Sequence, residues 1–158
     1  MATHISHNPA ETAALGEHWG RAAESGLVIG LSGDLGAGKT QFVKGLARGL
    51  GIAALVHSPT FALVNIYSGG RLTLFHWDLY RLDTRQQIVA AGLEDYLSPA
   101  GVTVIEWAER WFDQVQGPES RITHHASPVP SLTHPFRMVQ IEVLSETERR
   151  ITYEHPDA

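Results

Sequence analysis

The segment Gly33-Asp34-Leu35-Gly36-Ala37-Gly38-Lys39-Thr40 constrains what this chain can fold into more than any other. It satisfies the pattern G-x-x-x-x-G-K-[ST], which works in one structural setting. A strand delivers the chain into the loop and a helix leaves it, so that backbone N–H groups converge at the positive start of a helix, where phosphate oxygens dock. Both flanks are present. Leu27 to Leu31 is an apolar run too short for an ordinary helix and bounded by glycines, which reads as a buried strand. Phe42, Val43, Leu46, Ala47 and Leu50 then recur at helical spacing up to Gly51.

The rest of the chain predicts an α/β domain of the P-loop NTPase-like type, three layers deep, with a mixed parallel and antiparallel sheet. Asn8, Pro9 and Glu11 form a helix-start signal: an Asn cap, Pro at the first helical position and a Glu placed to reach back as in a capping box. Leu15, Trp19, Ala22 and Ala23 continue that helix, with Gly26 to close it. Val64 to Tyr67 and Arg71 to Asp78 alternate about the turn Ser68-Gly69-Gly70, an antiparallel hairpin. Asp83 and Gln86 are placed to cap a short helix that ends at Ala91 before Gly92, and Val102 to Ile105 is a second buried strand. Val139, Ile141 and Val143, then Ile151 and Tyr153, predict a second hairpin across Ser145 to Glu148. Residues 117–135, rich in Pro, His, Ser and Thr, read as a flexible loop. With 158 residues and 43% hydrophobic content, residues 1–158 form one domain, long enough to bury roughly 70% of its unfolded surface.

The candidate chemistry centres on the loop. Lys39 supplies the cation for the outer phosphates; at a screened dielectric one contact at ~4 Å carries about 4 kcal/mol of attraction before desolvation. Thr40 offers a hydroxyl to magnesium. A carboxylate is needed across the site, and two stand at strand ends: Glu106 after Val102 to Ile105, and Asp78 after Leu72 to Trp77. Each has a plain structural alternative, a strand-end carboxylate for Glu106 and a turn or cap for Asp78. His76 and Asp78 share a strand face, which leaves a transition-metal pair open. Ser58-Pro59-Thr60-Phe61 reads either as a loop sensing the terminal phosphate or as a simple hydroxyl turn. Trp107 is either core or contact.

Several classes are excluded. Without cysteine there is no disulfide, thiolate metal site or cysteine nucleophile. The only lysines are Lys39 and Lys44, so no late lysine is available for a guanine-reading N-K-x-D motif. A net charge of −5 argues against independent binding of nucleic acid, whose affinity comes from clustered cations. No apolar stretch of ~18 residues is present, and Met1 to Asn8 lacks the apolar run of a leader, so no membrane and a cytoplasmic location are expected.

Taken in order, GDLGAGKT at Gly33 to Thr40, SPTF at Ser58 to Phe61, HWDLYR at His76 to Arg81, GLEDYL at Gly92 to Leu97 and IEWAE at Ile105 to Glu109 resemble one family, TsaE, the bacterial ATPase of tRNA threonylcarbamoyladenosine biosynthesis. The resemblance runs from about Thr12 to Trp111. It implies an ATPase that helps TsaB and TsaD attach a threonylcarbamoyl group to the adenosine beside the anticodon, meeting tRNA only through that complex. It further implies that Gly33, Asp34, Leu35, Gly36, Ala37, Gly38, Lys39 and Thr40 hold ATP with Mg2+. Thr60 would lie in a phosphate-sensing loop, Asp78 and Glu106 would serve the metal and hydrolysis, with Lys39 as their catalytic companion, and Trp107 would border the site. Trp77 and Ala108 depart from the usual family residues, the second replacing a common proline, and residues 117–135 carry no family motif that the resemblance rests on. A nucleotide contact from Arg149 or Arg150 is left open. The alternatives are a small-molecule kinase, which would need an arginine-bearing lid, and a nucleotide-gated assembly module.

Overall fold

Helix α1 (Pro9–Ala22) starts where the sequence places it, with the Asn8 side chain accepting from the Glu11 N–H at 2.9 Å. Glu11 does not complete a capping box on Asn8; its carboxylate reaches one residue further, to the His7 N–H at 2.7 Å and the His7 ring at 2.9 Å. The helix ends at Ala22, because Ala23 turns to extended backbone before Gly26 is reached. In this computed structural model residues 1–59, 62–111 and 136–153 are described. The expected flexible loop at 117–135 and Thr60 lie outside them.

A strand that sequence patterning misses, β1 (Ala2–Ser6), precedes α1. There follow β2 (Val28–Ser32), α2 (Lys39–Gly49), β3 (Val64–Tyr67), β4 (Leu74–Asp78), α3 (Arg85–Ala91), a 3-10 turn (Leu93–Tyr96), β5 (Val102–Glu106), β6 (Phe136–Val143) and β7 (Arg149–Tyr153). The cap of α3 is a full capping box on Thr84 and Gln87, one residue beyond the predicted Asp83 and Gln86. Thr84 fits better because its short hydroxyl reaches the Gln87 N–H at 3.2 Å while Gln87 returns to the Thr84 N–H at 3.3 Å.

The seven strands form one sheet in the order β1-β7-β6-β2-β5-β4-β3. β6, β2, β5 and β4 are parallel neighbours, whereas β3 pairs antiparallel to β4, and β7 pairs antiparallel to both β6 and β1. This is the predicted mixed sheet, both hairpins included. β1 has no apolar alternation to betray it, since its side chains alternate between exposed and half-buried until Ser6. Backbone pairing to β7, from Ala2 opposite Tyr153 to Ser6 opposite Arg149, is what holds it.

Each face of the sheet carries its own core, which gives the three layers. On one face Ile29, Leu31, Val102, Val104, Leu74, Val139 and Ile141 meet Phe42, Leu46 and Trp19 of the two long helices. On the other, Val28, Trp77 and Ile105 meet Ile88 of α3 and Leu93, Leu97 and Trp111. Each such side chain contributes roughly 1.5–3 kcal/mol on burial. Trp19 sits edge-on to Phe42 at 5.8 Å and to Tyr153 at 5.6 Å, tying α1 to α2 and to β7.

α1 and α2 run side by side in backbone contact. A Cβ at Gly45 would lie 1.8 Å from the Ala13 carbonyl oxygen, and one at Gly16 would lie 2.2 Å from that of Phe42, so glycine is what permits the approach. Both helices therefore begin at the same edge of the sheet, where β2, β4, β5 and β6 also end. Among the described residues no helix is long and apolar enough to cross a membrane.

Candidate nucleotide site

The carboxyl ends of parallel strands are where an open α/β sheet leaves a crevice. Here that edge holds a cleft of about 450 Å³. Leu35, Gly36, Ala37, Gly38, Lys39 and Thr40 line it, together with Ser58, Asp78, Glu106 and Trp107. Gly33 and Asp34 are not in its wall; they act through their carbonyls.

Gly38 adopts φ +111°, a left-handed conformation that suits glycine, and α2 starts behind it with no side chain capping its first N–H groups. Gly38, Lys39, Thr40 and Gln41 at that start line the cleft, the arrangement that receives an anion at a helix start. The Lys39 ammonium folds back against the loop, donating to the Gly33 carbonyl and, at 3.0 Å, to that of Asp34. It also lies 4.0 Å from the centre of the Trp107 ring. Burial pushes the Lys39 amine below its usual value, and the carboxylates of Glu106, Glu109, Asp78 and Asp34 oppose that shift. Only 5% of Lys39 is exposed, so its charge acts in a medium where a bound phosphate feels it strongly.

Thr40, in the first turn of α2, donates its hydroxyl to Glu106 at 3.0 Å from Oε1 and 3.2 Å from Oε2. Glu106 is buried at the end of β5 and meets a second partner, the fully buried His76, whose Nε2 lies 2.6 Å from Oε2. The register sets Asp78 directly beside Glu106 on neighbouring parallel strands. Asp78 is already engaged: Oδ2 accepts from the Ser58 hydroxyl at 2.9 Å and Oδ1 from the Tyr80 N–H at 2.9 Å. The turn reading and the cleft reading of Asp78 thus hold together, since it fastens both flanks while facing the cleft.

Trp107 is half-buried and carries φ +59°, a conformation that costs a bulky side chain on the order of 1–3 kcal/mol. The strain turns its ring under Lys39, with Tyr80 at 5.1 Å and the Arg110 guanidinium at 5.6 Å. It lines the cleft and also packs against the core on the α3 side of the sheet.

Apart from Arg149, sequence reading does not place the far wall, built by Asn8, Pro9 and Thr12 at the start of α1 and by Glu146, Thr147 and Arg149 around the β6–β7 turn. Arg149, left open above, braces the phosphate loop: its Nε donates to the Ala37 carbonyl at 3.0 Å and its Nη2 to Gly36 at 3.4 Å. Its Nη1 fastens the turn through Ser145 at 2.7 Å and Glu148 at 3.0 Å. Arg150 pairs instead with Glu142 at 3.3 Å, outside the cleft. Loop and brace are 112 positions apart, so no local pattern could reveal the contact.

Thr40, Glu106 and Asp78 fit a hard dication, because they offer oxygen only. Among the described residues no cluster of three or more His, Cys, Asp or Glu could hold a metal alone, and His76 is spent on Glu106. Magnesium is ordinarily bound through one or two carboxylates, with water and substrate phosphates completing its shell. Thr60 lies outside the described residues.

Comparison with known proteins agrees with the motif order. The family model described as "Threonylcarbamoyl adenosine biosynthesis protein TsaE" matches residues 6–131. A Treponema pallidum protein named "tRNA threonylcarbamoyladenosine biosynthesis protein TsaE" is 40% identical over 148 residues, 94% of this chain and 96% of the relative. A Bacillus subtilis protein of the same name is 43% identical over 115 residues, covering 73% of this chain and 70% of the relative. The crystal structure of Bacillus subtilis YdiB superposes with a TM-score of 0.71 at 32% identity, covering 96% of this chain and 83% of that one. The chain belongs to the TsaE family, whose named relatives serve tRNA threonylcarbamoyladenosine biosynthesis.

Proposed function

We propose that this protein is a magnesium-dependent ATPase that serves threonylcarbamoyl modification of tRNA through TsaB and TsaD. The observation that carries the proposal is the meeting of Thr40 and Glu106 beside the uncapped start of α2. A phosphate-binding helix start, a metal-capable hydroxyl and a buried carboxylate meet there. In this reading the N–H groups of Gly36, Gly38, Lys39 and Thr40 hold the outer phosphates of ATP, and Lys39 leaves the Gly33 and Asp34 carbonyls to offset their charge. Thr40, Glu106 and Asp78 would hold magnesium, which supplies electrostatic stabilisation of charge on the transferring phosphoryl group. Glu106 also orients the attacking water, and Trp107 shields the Lys39 side of the site. Thr60 would sense the terminal phosphate.

The arginines support dependence on partners. Arg149 spends its donors on backbone carbonyls, and Arg110 lies against Tyr80 and Trp107 with its Nη1 3.4 Å from Asp83. Arg149 lines the cleft with its donors turned onto the phosphate loop and the β6–β7 turn, and Arg110 is not among the lining residues, so neither is placed as an arginine finger. In related phosphoryl-transfer enzymes such a finger is worth about 10³ to 10⁵ in rate. The net charge of −5 agrees with tRNA being held by the partners. Phosphate release should be measured with the protein alone, with TsaB, with TsaD and with both. Stimulation by the complete mixture supports the reading. Equal rates in all four mixtures contradict partner dependence, and a phosphorylated metabolite instead of free phosphate would indicate a kinase.

A further inference from the structure

Glu106 is held by a partner that the reading above does not use. His76 lies on β4, fully buried, and its Nε2 stands 2.6 Å from Glu106 Oε2, a contact between two side chains that both lie out of water. Its other ring nitrogen, Nδ1, is buried with no hydrogen-bond partner among the described residues. A proton on Nδ1 would be an unsatisfied buried donor, a costly state, whereas a proton on Nε2 is donated straight into the carboxylate. The geometry thus selects one tautomer, with the proton on Nε2.

The two oxygens of Glu106 are not equivalent. Oε2 takes the short bond from His76 and the longer one from Thr40, at 3.2 Å; Oε1 takes only Thr40, at 3.0 Å. Thr40 is the partner that must turn away if its hydroxyl is to serve the phosphate site. His76 sits inside the sheet layer, so it stays on Oε2 when Thr40 leaves. We propose that His76 is a positioning residue that pins Oε2 of Glu106 and thereby assigns Oε1 to the cleft, keeping the carboxylate in one orientation whether or not Thr40 bonds to it. The proposal rests on the ATPase reading for its kinetic consequence, but the pinning itself is a property of the nucleotide-free protein. It also gives the histidine of the HWDLYR segment a role without any bound transition metal.

Two measurements test it. Nitrogen-15 NMR of the histidine rings in the nucleotide-free protein should show His76 protonated at Nε2, with that Nε2–H resonance displaced downfield and moved by Glu106→Gln. A proton on Nδ1, or an Nε2–H signal indifferent to Glu106→Gln, overturns the pinning. In phosphate-release assays with TsaB and TsaD, His76→Leu should lower kcat roughly 10- to 100-fold, the worth of one hydrogen bond to a charged group, and leave the KM for ATP nearly unchanged. His76→Gln, whose amide N–H can reach the place of Nε2, should restore most of that loss. His76→Asn, whose amide falls nearer Nδ1, should not. Equal rates for the Gln and Asn variants overturn the proposal, and this comparison still decides if the Leu variant fails to fold. If Glu106→Gln hydrolyses at the parent rate, the role given to Glu106 in hydrolysis fails instead, and the NMR result alone decides whether His76 pins the carboxylate.

Discussion

The hydroxyl of Thr40 donates to both oxygens of Glu106, at 3.0 and 3.2 Å, across 66 positions of sequence. One residue opens a helix and the other closes a strand. Their contact exists because β2 and β5 are parallel neighbours with Leu31 opposite Glu106, so the chain leaving β2 passes over the end of β5.

Replacing Glu106 by Gln should keep the fold, since an amide of the same shape still accepts from Thr40, while hydrolysis falls about 10²- to 10⁴-fold, the usual worth of a positioned acid–base group. Asp78→Ala should act differently. It leaves the Ser58 hydroxyl and the Tyr80 N–H without their acceptor, lowering stability by about 1–3 kcal/mol as well as activity. Thermal unfolding beside phosphate release separates the two effects, and parental hydrolysis in both variants would remove these carboxylates from the mechanism.

Arg149→Ala should loosen the phosphate loop without touching any group that meets the terminal phosphates. The expected outcome is ATP affinity reduced roughly 5- to 30-fold, the equivalent of about 1–2 kcal/mol for lost hydrogen bonds from a charged donor. Hydrogen exchange at Ala37 and Gly38 should rise in the nucleotide-free variant. Unchanged exchange there would mean that the brace does not order the loop.

The contact between α1 and α2 predicts a purely structural effect. Gly45→Val places a Cβ 1.8 Å from the Ala13 carbonyl oxygen, where only backbone stands to move. A loss of about 1–3 kcal/mol or more is expected, and for a domain of this size each kcal/mol lowers Tm by roughly 2–4 °C. The same variant should weaken ATP binding, because both helices start at the cleft. A variant with the parent's Tm would show that the helices can separate without cost.

How much of this was legible in the sequence depends on the range of the interactions. Local rules placed the strand, loop and helix around Lys39, both hairpins and the Asn8 cap, since each is written within a few residues. They shifted the cap of α3 by one residue because Asp83 and Thr84 are both good caps; Gln87 accepts from the N–H of each, and the Thr84 hydroxyl taking the Gln87 N–H decides between them. β1 left no trace, as its stability comes from backbone pairing with β7. The strand-end rule found Glu106 and Asp78. It could not find Arg149 or the Glu106 partnership of His76, because those contacts cross the sheet and are set by register rather than by spacing.

ATP binding by the loop from Gly33 to Thr40, with Lys39 as its cation, underlies the whole proposed function. Calorimetric titration of ATP in the presence of magnesium into the parent protein and into Lys39→Ala tests it most directly. Removing one charge-assisted contact of about 1.5–3 kcal/mol should weaken binding roughly 10- to 100-fold, with circular dichroism showing the variant folded. A folded Lys39→Ala protein that binds ATP as tightly as the parent would contradict the account.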